Sequence, residues 1–105
     1  MTTSEMSEEE LDLQYRKMID SFIDQANDLV QQSNPENVSM ALLHAASRFN
    51  AFVVTTHAET LSDFENDIDK AKVFFISKYD EMLSENLEDY KEVYKDDLKY
   101  AHLMS

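Results

Sequence analysis

The chain has no glycine in 105 residues and a single proline, Pro35. An average soluble protein of this length has roughly seven glycines and five prolines. Hairpin turns favour glycine wherever φ must be positive, so β-sandwiches and β-barrels need many such residues. The composition therefore predicts an all-α chain of a few long helices joined by turns of Asn, Ser, Asp and Thr.

Apolar periodicity and end signals locate the first two helices. Apolar residues recur every three or four positions over residues 8–32, after Ser7 and Glu10, which match a capping box. Asn34 is a favoured N-cap, and proline is favoured at the first helical position that follows it. We therefore expect a second helix to begin at Pro35 and to end near His57.

A third helix is predicted from residue 63 to about residue 95, because Ser62 and Glu65 form a second capping-box match. Its pattern permits a break near Ser84, since Asn86 interrupts the apolar stripe. We predict an antiparallel bundle of three long helices, or of four if the last helix breaks near Ser84. The bundle is expected to be one domain over residues 1–105, with frayed tails at 1–6 and about 97–105.

Charge indicates which partners the chain would avoid. There are 22 acidic and 9 basic residues, a net charge of −13, which repels nucleic-acid phosphates and anionic membranes. Residues 1–10 have no basic and apolar regions typical of a secretory signal, and no stretch is apolar enough to span a membrane. We expect a cytoplasmic protein that binds neither nucleic acid nor membrane directly.

The middle helix is the least charged, with Arg48 as its single Lys or Arg, so we expect the other helices to cover it. Its larger apolar arc contains Val38, Leu42, Ala45, Phe49, Phe52 and Val53. A smaller arc on the opposite side contains Met40, Leu43, Ala51 and Val54. Apolar arcs on opposed faces are typical of a helix buried on both sides.

A second copy would cover the smaller arc, so we predict a homodimer. Tyr90 and Tyr94, near the projecting end of the third helix, complete the candidate interface.

His44 and Arg48 lie one helical turn apart and form, with Asn50, a candidate site for a small anion, another ligand or a protein partner. The structural interpretation is that they are satisfied polar groups at the edge of a buried helix. Under that interpretation, Arg48 is largely buried and paired with a carboxylate from the first or third helix. We favour the structural interpretation.

Two segments resemble a known family. Residues 38–52 (VSMALLHAASRFNAF) resemble the signature of short, acidic bacterial proteins known only as a domain of unknown function, and residues 79–90 (YDEMLSENLEDY) are also similar to its members. The resemblance would cover roughly residues 12–95. It implies a bacterial origin and a small helical fold, and it implies no activity or site residues.

No catalytic, cofactor-binding or metal-binding residues are predicted. Di-iron helical bundles use Glu-x-x-His pairs, and none occurs here. Phosphate-binding loops and nucleophile elbows need glycines that the chain lacks. We therefore expect a non-enzymatic interaction or accessory protein. The alternatives are a ligand binder using His44 and Arg48, and an acidic mimic that blocks a basic nucleic-acid-binding protein.

Divalent metals are expected to add no structural stability, because no recognised ligand spacing is present. Low-micromolar zinc, manganese or iron should leave the melting temperature almost unchanged. A chelator-reversible rise of many degrees would contradict this, whereas slight stabilisation by millimolar calcium or magnesium would reflect screening of the net charge.

Overall fold

The computed structural model describes the backbone of residues 6–104 and the side chains of residues 6–96. Within these limits the fold is all-α, with helices α1 (Glu8–Val30), α2 (Pro35–Thr55) and α3 (Leu61–Met104) and no strand. The prediction of three long helices is confirmed. Of the predicted tails, residues 1–5 lie outside the described residues, and α3 continues past the expected end near residue 95.

Helix α1 begins where the capping box predicts. The Ser7 hydroxyl oxygen accepts a hydrogen bond from the Glu10 backbone N–H at 3.1 Å, and the same hydroxyl donates to Glu10 Oε1 at 3.1 Å. The first turn consists of three glutamates, whose charge suits the positive end of the helix dipole. The backbone N–H of Gln31 bonds to the Asp28 carbonyl at 3.2 Å, so the helix ends in a tight turn.

Helix α2 begins as predicted, with Asn34 Oδ1 accepting from the Asn37 backbone N–H at 2.8 Å. It ends two residues before His57. At this end, three successive backbone N–H groups each donate to the carbonyl three residues earlier. The last of these bonds runs from the Ala58 N–H to the Thr55 carbonyl at 3.3 Å. Such bonds are typical of the tightened last turn of a helix.

Helix α3 begins earlier than the sequence pattern indicated, so the cap assigned to Ser62 is wrong. Thr60 is the cap, because its Oγ1 accepts from the Asp63 backbone N–H at 3.1 Å. Thr60 and Asp63 have the same spacing as Ser62 and Glu65, two residues earlier in the chain. Once Thr60 has capped the helix, Ser62 lies inside the first turn.

Helix α3 is continuous through Ser84 and Asn86, so the four-helix alternative is wrong. Serine and asparagine inside a helix cost at most about 0.7 kcal/mol each relative to alanine, whereas no proline or glycine is present to break the helix. With 44 residues it is about 66 Å long at 1.5 Å per residue.

The chain divides into two compact units, Met1–Phe52 and Val53–Ser105. In the first unit, Val38 is 6% exposed and is the buried side chain of the described residues. Ala26 and Asn50 are half-buried. Our prediction that residues 1–105 form one domain stays a prediction.

In the second unit, the half-buried side chains fall on the last turn of α2, the connection and the first part of α3. On α3 they lie three or four positions apart and therefore on one face. From residue 76 to residue 96 every side chain is exposed. The half-buried residues of this unit are Val53, Val54, Ala58, Phe64, Asp67, Ala71 and Phe75.

The expectation that α2 is covered on its larger apolar arc is wrong for its two phenylalanines. Phe49 is 65% exposed and Phe52 is 59% exposed, and their rings contact each other with centroids 6.2 Å apart. The physical reason is that the first unit contains one further helix, α1, that can pack against α2. One neighbouring helix covers one side of a helix and leaves the rest open.

The position of the α3 cap can be tested with a matched pair of alanine variants. Thr60→Ala removes the acceptor of the Asp63 N–H and should lower the free energy of unfolding by about 1 kcal/mol. Ser62→Ala should leave it within about 0.5 kcal/mol, since Ser62 is an exposed first-turn residue. Urea denaturation followed by circular dichroism measures both. A larger loss for Ser62→Ala would return the cap to that residue.

Candidate functional site

The predicted ligand-site residues do not converge. His44 and Arg48 are exposed and lie four residues apart on one face of α2, whereas Asn50 is half-buried. Asn50 follows Arg48 by two residues, which is about 200° around the helix. The Ser47 hydroxyl donates to the His44 carbonyl oxygen at 2.8 Å, so it is engaged with the backbone. The geometry therefore pairs His44 with Arg48 and separates Asn50 from them.

The expectation that Arg48 is largely buried and ion-paired is wrong. Its side chain is exposed, and it forms no ion pair with another residue whose side chain is described. The positions three and four residues away on α2 are His44, Ala45, Ala51 and Phe52. Because none of these is acidic, Arg48 has no partner on its own helix.

The ion pairs of the described residues are local. Both partners of each pair are more than half exposed and lie three or four positions apart on one helix. Exposed pairs of this kind contribute about 0–1 kcal/mol each. They stabilise individual helices and define no charged cleft. The pairs are Arg16 with Asp12, Lys78 with Glu81, Lys91 with Glu88, and Lys95 with Glu92.

An open depression lies at the start of α2. It is lined by Pro35, Glu36, Ser39 and Met40. Neither His44 nor Arg48 lines it, although Met40 belongs to the predicted oligomer interface. The depression is wide and shallow, with one carboxylate and one hydroxyl at its edge.

The described residues contain neither a candidate metal site nor a candidate membrane span. No group of three or more His, Cys, Asp or Glu side chains in this part of the chain is arranged to hold a metal ion. Within the same limits, no helix combines the length and apolar content that crossing a membrane requires.

Three aspartates form a ridge on α1. Asp20, Asp24 and Asp28 are exposed and follow one another at one-turn intervals, over about 12 Å of helix axis. One turn of a DNA duplex is about 34 Å long. The ridge is therefore shorter than the phosphate pattern that an acidic mimic of a duplex would imitate.

The predicted interface residues of α2 are partly exposed. Met40 is 64% exposed, Leu43 is 40% exposed and Ala51 is also exposed, while Val54 is half-buried. The first three belong to the first unit and Val54 to the second. Apart from Val54, the smaller arc is open in the structure.

The predicted interface residues of α3 belong to a larger apolar surface. Tyr90 is 72% exposed and Tyr94 is 66% exposed. Tyr79, Met82 and Leu83 precede them on the same helix and are also exposed. We call the whole surface the distal face of α3, consisting of Tyr79, Met82, Leu83, Leu87, Tyr90, Val93 and Tyr94.

Helix length is the signal by which sequence reasoning could have found the distal face in full. Helix α1 has 23 residues and α2 has 21, which correspond to about 35 Å and 32 Å. Each is about half as long as α3. An apolar stripe over the whole length of α3 therefore exceeds the length of either helix.

Comparison with known proteins places the chain in a family. A family model described as "Protein of unknown function (DUF3144)" matches residues 15–91. These residues include both segments, 38–52 and 79–90, on which the resemblance was based. Neither the curated proteins nor the solved structures gave a match.

The exposure of Arg48 leads to a revised stability prediction. Arg48→Met should change the free energy of unfolding by no more than about 0.5 kcal/mol, as expected for a surface substitution away from packed features. Lys91→Met is the control, since Lys91 is also exposed and pairs only with its helical neighbour Glu88. Thermal unfolding should show similar small shifts for both variants. A clearly larger loss for Arg48→Met would show that the guanidinium is buried or paired in solution.

Proposed function

Because the chain belongs to the DUF3144 family, whose description assigns no activity, we propose a function from its surface chemistry. The protein acts as a non-enzymatic interaction or accessory module, and it works as a homo-oligomer in the bacterial cytoplasm. The bacterial origin follows from the family resemblance. A chain without cysteine needs no oxidising compartment to complete its fold.

The observation that carries this proposal is the number of large apolar side chains left exposed. Among the described residues, 27 large hydrophobic side chains are exposed and one hydrophobic side chain is buried. Single exposed hydrophobic residues are ordinary, but contiguous apolar patches mark interaction surfaces. The distal face of α3 is such a patch, since its members follow one another along one helix. This surface favours a protein partner.

The distribution of charge supports an interaction module over an enzyme. Catalytic groups are typically gathered in a cleft where burial and neighbouring charges perturb them. Here the ion pairs join exposed residues on single helices. With the exception of the half-buried Asp67, the charged side chains of the described residues are exposed and flank the apolar stripes. An apolar centre with a polar rim is the usual organisation of a protein interface.

The net charge restricts the partners that we propose. A charge of −13 opposes direct contact with nucleic acid or an anionic membrane. A second copy and an unidentified protein partner remain, and the apolar faces would supply the contact. The ligand-binding and acidic-mimic alternatives stay predictions, since no described pocket includes His44 or Arg48 and the α1 ridge is short.

Sedimentation equilibrium at micromolar concentration tests the homo-oligomer. We expect a mass of about twice the chain's 12.2 kDa, because a dimer is the commonest soluble homo-oligomer. A single species of 12 kDa would contradict self-association. A pull-down from native cells would then be needed to find the partner.

Two charge-matched variants test whether the smaller arc of α2 contributes. Leu43→Glu places a charge in the arc and should weaken the dimer if the arc is part of the interface. Ala41→Glu adds the same charge at an exposed position about 200° from Leu43 around the helix and should have little effect. Equal dissociation constants for the two variants would exclude the α2 arc from the interface.

A further inference from the structure

The distal face of α3 has the size of a complete protein interface. Its seven side chains are each between 41% and 72% exposed. Large side chains have areas of about 150–250 Å², so this face presents on the order of 700 Å². A standard protein interface buries about 800 Å² on each partner. The distal face therefore matches one half of such an interface without help from another helix.

A polar residue lies at the centre of this face. Asn86 is exposed, and its amide forms no hydrogen bond with another residue whose side chain is described. Met82 and Tyr90 lie four residues to either side of it, and Tyr79 and Val93 lie seven residues to either side. At 100° per residue, all four fall within about 40° of Asn86 around the helix. These four residues are thus arranged symmetrically along the helix in both directions from the one amide.

This symmetry points to a second copy of the chain. A carboxamide has both donors and an acceptor, so it can pair with an identical carboxamide. In parallel coiled coils, a single asparagine in the apolar seam sets the register of the two helices. The same amide pairing is available wherever a two-fold axis brings two asparagines together. A two-fold interface places the same surface patch on both partners. An apolar face with one central amide meets that requirement.

We propose that α3 pairs with α3 of a second copy in an antiparallel arrangement, with the two-fold axis passing beside Asn86. This inference rests on the self-association proposed above and specifies its surface and geometry. Asn86 then meets Asn86 of the second copy. Tyr79 lies opposite the second copy's Val93, and Met82 lies opposite its Tyr90. Each apolar residue near the centre of the face is matched with another.

The two flanks of the distal face favour the antiparallel orientation. Leu83, Leu87 and Tyr94 lie on one side of Asn86, and Asp89 and Glu85 lie on the other side. A two-fold axis perpendicular to the helices brings each flank against the same flank of the second copy. The apolar flank is then buried against itself. A parallel pair would instead place Leu87 and Tyr94 against the acidic flank and would leave carboxylates next to buried apolar groups, which is costly.

Lysines on α3 reduce the charge repulsion between two acidic chains. Lys78, Lys91 and Lys95 pair with glutamates on the same helix, at distances of 3.3–3.7 Å. Glu81 and Glu88 lie on the side of α3 facing away from Asn86, by the 100° rotation per residue. Their charges are therefore partly neutralised and distant from the proposed contact. The two-fold axis also brings the exposed carboxylates of Glu85 and Asp89 near those of the second copy at the edge of the contact. This repulsion is screened by salt, so the dimer should tighten as ionic strength rises.

Disulfide cross-linking of the full chain tests the arrangement directly, since the chain has no cysteine of its own. Asn86→Cys should form a covalent dimer under mild oxidation, because the two-fold axis brings the two positions together. Glu88→Cys is the control, about 200° away around the helix, and should remain uncross-linked. Sedimentation equilibrium of each reduced variant checks that the dimer is retained.

A second pair of variants determines the orientation. Tyr79→Cys and Val93→Cys should cross-link when mixed, and neither should cross-link alone. In the antiparallel pair, the two copies of position 79 are 14 residues apart along the axis, which is about 21 Å. A disulfide needs Cα atoms closer than about 7 Å. Cross-linking of Tyr79→Cys to itself would show a parallel pair and would overturn the proposal.

Asn86→Asp tests the central contact without a cysteine. It places two carboxylates against each other, so the dimer dissociation constant should rise at least about tenfold. Ser84→Asp adds the same charge at an exposed position away from Asn86 and should leave the constant nearly unchanged. Equal constants for the two variants would overturn the proposed contact at Asn86.

Failure of this inference is distinguishable from failure of the proposed function. A sedimentation dimer that gives no cross-link at position 86 or between positions 79 and 93 would overturn the α3 pairing and leave self-association standing. A single 12 kDa species at micromolar concentration would overturn both.

Discussion

Burial of apolar helix faces is the interaction on which this structure depends. The ion pairs of Arg16, Lys78, Lys91 and Lys95 are exposed and join residues on the same helix, so they stabilise helices without fixing how helices pack. Exposed pairs add little stability in any case. A helical chain without disulfides must therefore gain its tertiary stability from apolar contact. Val38 is the buried side chain among the described residues, which makes the uncovered faces the central feature of the molecule.

The long third helix connects this constraint with the proposed function. Helix α3 has about twice the residues of α1 or α2, and its side chains from residue 76 to residue 96 are exposed. An apolar face of this size is costly in water, because ordered apolar surface contributes favourably only when it is removed from solvent. In the proposed dimer, two distal faces would cover each other and remove this surface from water. A function based on association then requires no cleft and no catalytic group.

Local sequence signals predicted local structure well. Ser7 and Asn34 cap the helices that they were expected to cap, because an N-cap depends on a side chain and a backbone group three residues apart. The error at Thr60 arose within the same rule, since two cap-like pairs overlap in that segment and spacing alone does not rank them. The break near Ser84 was wrong because asparagine weakens a helix slightly without ending it.

The amino-acid sequence by itself determined the all-α class and the approximate limits of α1 and α2. Both depend on the absence of glycine, on apolar periodicity and on interactions within four residues. The structure decided between three and four helices, because α3 is continuous. Only the tertiary structure decided which apolar stripes are covered. It left Arg48 and Phe49 exposed, although both were expected to be at least partly buried, and it left the distal face of α3 exposed as well. Periodicity defines the apolar side of a helix, whereas burial depends on how much matching surface the other helices can offer.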